Sequence, residues 1–125
     1  MKLYSSGEDY LEAVLVLKKK MGLVRSIDVA RYLEVSKPSV SNAVSLLQEG
    51  GFLRVDKEHY LHLTKAGKQV AEKIYERHCF FTKRLIHVGV SPDVAEKDAC
   101  KIEHVISEET FEKLKENIKE DNEGT

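Results

Sequence analysis

One junction constrains the fold of this chain more than any other: Val35-Ser36-Lys37-Pro38, which closes one short apolar-periodic segment and opens another. Ser36 offers a side-chain acceptor to the free N–H groups of a first helical turn. Pro38 suits that turn because its missing N–H would have no partner there, so the pair predicts a helix start. The helix continues through Ser39-Val40-Ser41-Asn42-Ala43-Val44-Ser45-Leu46-Leu47-Gln48 and stops at Gly50-Gly51. Upstream, a helix is expected from Ser26, as cap, to Leu33, with Ile27, Val29, Ala30 and Leu33 as its apolar face. The small Ala30 marks where the two helices cross, and Val35 is expected to fill the turn. Downstream, Phe52-Leu53-Arg54-Val55 and Tyr60-Leu61-His62-Leu63 alternate apolar and polar residues around Asp56-Lys57-Glu58-His59, the pattern of a β-hairpin. Two short helices, a tight turn and a hairpin make a winged helix-turn-helix.

Helical periodicity accounts for the remainder. A first helix is predicted over about Gly7 to Lys20, with Lys18, Lys19 and Lys20 favourable at its carbonyl end and Gly22 as its stop. Thr64 caps a long helix over Lys65 to His87, ended by Gly89. Ser91-Pro92-Asp93 opens another, to Val105, and Ser107-Glu108-Glu109 opens a last one, to about Lys119. Residues 120–125 are polar and expected to fray. The chain therefore reads as mainly α with a small β-hairpin wing: a winged helix-turn-helix over 1–65, followed by an α-helical dimerisation domain over 66–125. The dimer is expected because Ile74, Phe81, Leu85, Ile102, Val105 and Phe111 exceed what short helices need to cover themselves.

The helix after Ser36 presents Lys37, Ser39, Ser41, Asn42 and Ser45 on its outer face. These side chains are short and polar, which lets a helix lie in the major groove of DNA. Asn42 suits an adenine edge, while Ser39 and Ser41 suit bases or phosphates. Ser36 and Pro38 at the helix start, Arg25 ahead of the preceding helix and Lys57 in the hairpin turn complete the expected DNA surface. A solvated serine-rich face is the plain alternative, but serine is only a middling helix former and three on one helix call for a reason. The net charge of −1 argues little either way; residues 1–65 carry an excess of two positive charges and residues 66–125 an excess of three negative ones. No run approaches a membrane span and no apolar signal region opens the chain, so it reads as cytoplasmic. Two cysteines, Cys79 and Cys100, are too few for a disulfide scaffold.

The second half carries a different chemistry. Cys100-Lys101-Ile102-Glu103-His104 puts a thiol, a carboxylate and an imidazole at i, i+3 and i+4, on one edge of a helix. Asp9 and Glu12 form a second pair at i, i+3, and His78 sits in the long helix. Each has an ordinary explanation alone: Cys100 as a small buried apolar residue, Glu103–His104 as a solvated pair, Asp9 and Glu12 as acids favoured near a helix N-terminus. Together they offer the donors of one metal site.

Ordered matches extend this reading. Glu8-Asp9-Tyr10-Leu11-Glu12, Val35-Ser36-Lys37-Pro38-Ser39-Val40-Ser41, Leu63-Thr64-Lys65-Ala66-Gly67, Arg77-His78 and Asp98-Ala99-Cys100-Lys101-Ile102-Glu103-His104-Val105 follow one another as in the diphtheria toxin repressor family, which includes the manganese transport regulators. The chain resembles that family over nearly its whole length. Some members add a small β-barrel domain for which 125 residues are too few, so it resembles the short, manganese-regulator type. The resemblance implies a metal-activated transcriptional repressor, a homodimer on palindromic double-stranded operator DNA, controlling metal homeostasis. It places the metal ligands on Asp9, Glu12, His78, Cys100, Glu103 and His104. This set is a hybrid: Asp9 matches the manganese regulators, and Cys100 matches the iron regulators. Hard oxygen donors suit Mn2+ or Fe2+, whereas a Cys100 thiolate favours Fe2+, Co2+ or Zn2+, the last two as ions that could load the site in vitro. Cys100 acts through its thiolate, through its carbonyl or by packing, and one or two ions bind per chain. The ancillary site of iron-type members is expected to be absent, because Thr82 and Glu96 stand where a glutamate and a histidine are needed.

The implied mechanism is allosteric. Without metal the carboxylates repel; a cation that ties the first helix to the dimerisation region fixes the spacing of the two recognition helices and raises operator affinity, a coupling of roughly 1–3 kcal/mol. A metal-dependent hydrolase is the first rival, and nothing in the sequence supplies its substrate cleft or general base, so no enzyme and no small-molecule substrate is expected. The second rival is a winged-helix repressor that senses redox state or an organic ligand through Cys79 and Cys100, against which Phe80 and Phe81 argue by drawing Cys79 into the core.

Overall fold

A computed structural model describes residues 5–123 in the backbone and 6–118 in their side chains. In chain order the elements are α1 (Ser5–Met21), α2 (Ser26–Leu33), α3 (Lys37–Glu49), β1 (Leu53–Val55), β2 (Leu61–Leu63), α4 (Lys65–His87), α5 (Pro92–Val105) and α6 (Glu108–Glu123). They form two compact units that divide between Tyr75 and Glu76, inside α4.

The first unit is built around α1, whose Leu11, Ala13, Val14, Leu15 and Leu17 are buried with Val29 and Ala30 of α2, Val40, Val44 and Leu47 of α3, and Leu53 and Leu61 of the hairpin. Ala71 of α4 joins this core, with Val70 and Tyr75 against it. The hairpin is antiparallel, with Leu53 opposite Leu63, Arg54 opposite His62 and Val55 opposite Leu61. Its second strand is also tied to the stretch before α2, because the Leu61 N–H donates to the Val24 carbonyl at 2.7 Å.

Three local expectations are corrected. Arg25, rather than Ser26, is the N-cap of α2, because the Asp28 carboxylate accepts the Arg25 N–H at 2.9 Å. Val35 does not fill the turn; it is 38% exposed, and the turn is made instead by Glu34 in a left-handed conformation (φ 57°) that sends the Val35 N–H to the Ala30 carbonyl. Cys79 is not core but exposed. At the other end, α6 runs to Glu123, past the expected Lys119, and Gly124 and Thr125 lie outside the described residues.

In the second unit, Phe81 of α4, Ala99 of α5 and Phe111 of α6 form the core, with Phe80, Ile102 and Ile106 against it. Phe80 meets both Phe81 and Phe111 edge to face, at centroid distances of 5.1 and 5.3 Å. Ser107 caps α6 by accepting the Thr110 N–H at 3.1 Å. The apolar excess read from the sequence is partly absorbed within the chain: Ile74, Phe81 and Phe111 are buried, whereas Val105 is 82% exposed.

Candidate metal centre and nucleic-acid interface

The start of α3 is built as its sequence predicts. The Ser36 hydroxyl accepts the Ser39 N–H at 3.2 Å, and Pro38 stands in the first turn. Ser36 and Ser39 hydroxyls also bond each other at 2.8 Å, which leaves each with spare capacity for a second partner. Val40, Val44 and Leu47 face the core, and Lys37, Pro38, Ser39, Ser41, Asn42 and Ser45 are all exposed. Arg25 is exposed, with its guanidinium over the Tyr60 ring at 4.5 Å, so a cation ahead of α2 rests on the hairpin. Lys57 is exposed in the hairpin turn.

That turn is held by one carboxylate. Asp56 accepts the Glu58 N–H at 3.0 Å and the Tyr60 N–H at 2.9 Å through Oδ1, and His62 Nε2–H at 2.8 Å through Oδ2. The His62 bond and then the Tyr60 amide hold the Asp56 carboxyl below its ordinary pKa. Lys18 Nζ lies 3.3 Å from His62 Nδ1, which links the end of α1 to the same network. The hairpin is joined to α4 by Thr64, whose hydroxyl donates to the Gly51 carbonyl at 2.6 Å and accepts the Gly67 N–H at 3.1 Å. Gly67 is obligatory here, because a Cβ would collide with the backbone carbonyl of Phe52.

In the second unit, α5 buries Ala95, Ala99 and Glu103, a stripe at four-residue spacing in which the last member is a carboxylate with no exposed surface. His78 of α4 reaches Glu103: its Nδ1 and the carboxylate Oε2 share a hydrogen bond at 2.9 Å. Cys100 Sγ stands 3.6 Å from the same His78 nitrogen. The donor atoms of His78, Cys100 and Glu103 thus all lie within 4.8 Å of one another. His104 Nε2 lies 3.3 Å from Glu103 Oε1, an ion-pair distance without hydrogen-bond geometry, so Oε1 is buried with no hydrogen bond among the described residues. Asp9 and Glu12 lie one turn apart on α1 in the first unit, both half-buried.

These residues fit a divalent cation. Bonds of ~2.0 Å to nitrogen and ~2.3 Å to sulfur at a tetrahedral angle put the two donors about 3.5 Å apart, and His78 and Cys100 stand at 3.6 Å. A buried carboxylate with one oxygen lacking a hydrogen bond is costly unless a cation joins it. Cys100 is exposed, which gives an ion a way in. Thr82 and Glu96 line one surface depression with His78. One residue that sequence reasoning missed belongs to this neighbourhood: Arg77, 6% exposed, beside His78. Its signal was present, because Ile74, Arg77 and Phe81 share one helical stripe whose other two members are core.

Comparison with known proteins identifies the family. Residues 2–63 match the model of the iron dependent repressor N-terminal DNA binding domain, and residues 64–123 match that of the iron dependent repressor metal binding and dimerisation domain. The transcriptional regulator MntR of Escherichia coli is 34% identical over 84% of this chain and 68% of its own length. An uncharacterised helix-turn-helix-type transcriptional regulator of Methanocaldococcus jannaschii is 30% identical over 88% of this chain and 90% of its own. Among solved structures, the manganese regulator SloR superposes with a TM-score of 0.80 at 26% identity, covering 95% of this chain and 55% of that one. Several other repressor structures are likewise about twice as long as the part matched. With both family models matched in order across the chain, this protein belongs to the iron-dependent repressor family of metal-dependent transcriptional regulators.

Proposed function

We propose that this protein represses transcription as a cytoplasmic homodimer on double-stranded operator DNA when loaded with Mn2+ or Fe2+, and that it controls metal-ion homeostasis genes. The observation that carries the metal reading is the cluster of His78, Cys100 and the buried Glu103. His104 adjoins it, and Asp9 and Glu12 complete the proposed ligand set on the family resemblance. The role of residues 66–125 in metal binding and dimerisation, and of 1–65 in DNA binding, follows the same resemblance. A bound divalent ion supplies positive charge that holds carboxylates, imidazole and thiolate together. For its own part the chain must present donor atoms free of protons: a proton on His78 Nδ1 would shift to Nε2 or leave, and Cys100 would lose its thiol proton if the sulfur ligates. Metal binding is therefore expected to weaken as pH falls.

On the DNA side, Ser36, Lys37, Pro38, Ser39, Ser41 and Asn42 present the start of α3 to the major groove, and Arg25 and Lys57 add phosphate contacts. A cation that took ligands from α1 as well as from α4 and α5 would couple metal loading to DNA affinity, by the ~1–3 kcal/mol usual for such links. Calorimetric titration of metal-stripped protein with Mn2+, anaerobic Fe2+, Co2+ and Zn2+ tests the reading in wild type and Glu103→Ala. The expected result is saturable binding of one or two ions per chain that fails in the variant. Binding unchanged by Glu103→Ala would end the assignment and leave a winged-helix regulator whose signal is sensed elsewhere, Cys79 and Cys100 being the next candidates.

A further inference from the structure

We infer that Arg77 is a positioning residue for the metal centre, holding the last turn of α5 at the distance from α4 that His78, Cys100 and Glu103 require. The inference rests on the metal-site reading given above.

Arg77 and His78 are consecutive on α4, and both engage the end of α5. His78 takes the Glu103 carboxylate. Arg77 Nη1 donates to the main-chain carbonyl of Glu103 itself at 3.3 Å and to that of Ile106 at 2.7 Å. Helix α5 ends at Val105, so the carbonyls of its last turn have no amides ahead of them within the helix. Arg77 satisfies one such acceptor, the Glu103 carbonyl, together with the carbonyl of the C-cap residue Ile106, and its positive charge lies at the negative end of the helix dipole. The guanidinium stands over the Phe111 ring of α6 at 5.3 Å. It is therefore held between the α5–α6 junction and the aromatic core, and is nearly fully buried.

Two features separate this from ordinary packing. A buried arginine is costly to desolvate, and its Nε has no hydrogen-bond partner among the described residues. A leucine or methionine on the stripe between Ile74 and Phe81 would fill the same place without that cost. What only a strong multi-proton donor provides is a fixed register between α4 and the main chain of Glu103. The ligand carboxylate and the Arg77-bound carbonyl belong to the same residue, so a slip of the α5 end moves Glu103, and Cys100 with it, relative to His78. Metal affinity depends steeply on such placement, and removal of outer hydrogen bonds to ligands commonly costs tenfold to hundredfold.

The test titrates Co2+ into metal-stripped wild type, Arg77→Met, Arg77→Gln and Arg77→Lys, following the visible ligand-field and sulfur-to-metal bands well below each variant's melting temperature. Met and Gln both remove the two carbonyl bonds; whichever is folded by circular dichroism is read, so that a misfolded variant does not decide the matter. The expected result is Co2+ binding tenfold to hundredfold weaker, with shifted bands at saturation, and recovery to within about threefold in Arg77→Lys, whose ammonium can still donate to both carbonyls. A residue that merely stabilised the fold would lower the melting temperature and leave affinity and spectrum unchanged. Wild-type affinity and spectrum in a folded Met or Gln variant overturns the inference, as does a Lys variant no better than Met. Absence of Co2+ binding in wild type would instead remove the metal site itself, a failure read separately in the same titration.

Discussion

Replacing Glu103 with glutamine separates what the carboxylate does for folding from what it does for metal. Gln keeps the shape and can still accept from His78, but it carries no charge into a position with no exposed surface. In metal-free protein the wild-type carboxylate has one oxygen without a hydrogen bond, a deficit worth ~1–3 kcal/mol in a buried group. Metal-stripped Glu103→Gln should therefore be as stable as wild type or more so. The effect of metal should run the other way. At a free ion concentration one hundred times the wild-type Kd, binding stabilises the native state by about 2.7 kcal/mol. An unfolding entropy of ~2.1 cal/mol/K per residue over the 125-residue chain gives about 0.26 kcal/mol per degree, hence a rise of about 10 °C. If the two units melt separately the cooperative entropy is smaller and the rise larger, so 10 °C is a lower figure. Thermal unfolding followed by circular dichroism, with and without metal, reads both quantities. Glu103→Gln should gain under about 2 °C from the same ion concentration. A variant that keeps the full rise would show that the ion binds without this carboxylate. A metal-free variant much less stable than wild type would show that Glu103 is a structural partner of His78 and His104 first.

Three other outcomes follow from the first unit. Gly67→Ala forces a Cβ against the Phe52 carbonyl, an overpacking expected to cost ~1–3 kcal/mol or more, read as a lower urea midpoint without a change in metal stoichiometry. The Asp56 carboxyl has its pKa lowered in the folded protein by His62 and the Tyr60 amide, so its contribution is present above the unfolded value near 4 and is lost as pH falls through the lower folded value; Asp56→Ala should be destabilised at pH 7 and match wild type at the most acidic pH where both remain folded, and an equal deficit at both pH values would contradict the assignment. Lys37→Ala should reduce the salt dependence of DNA binding by about one unit of slope, as loss of one phosphate contact does, while an unchanged slope in salt titrations would take Lys37 off the backbone.

Much of the architecture was legible because local chemistry and burial agree. Ser36 and Pro38 begin α3 as their side chains dictate, and the alternation of Leu53, Val55, Leu61 and Leu63 about a polar turn gives the hairpin. The departures lie in short-range detail that apolar periodicity does not carry. Arg25 caps α2 because Asp28 reaches back to its amide. Glu34 adopts a left-handed backbone usually left to glycine, and in doing so turns Val35 out to solvent. Cys79 follows a ligand candidate on α4 and faces outward although two phenylalanines succeed it. At the metal centre, i, i+3 and i+4 spacing put Cys100, Glu103 and His104 on one edge of a helix. It did not reveal that Glu103 is fully buried, at the end of a stripe whose other members are Ala95 and Ala99. Arg77 was passed over because a cation in an apolar stripe is ambiguous until the carbonyls it meets are known.

The most direct test of the account is DNA affinity as a function of metal. Duplexes would be selected from a random library by Mn2+-loaded protein, and the winning sequence titrated by fluorescence anisotropy at fixed ionic strength with Mn2+, with Fe2+ under anaerobic conditions, and with chelator. The account predicts affinity about fivefold to 150-fold higher with metal, matching ~1–3 kcal/mol of coupling, and the same low affinity with or without metal for Glu103→Gln. Equal wild-type affinity in metal and in chelator would contradict it: the chain would then bind DNA and bind metal without the one controlling the other.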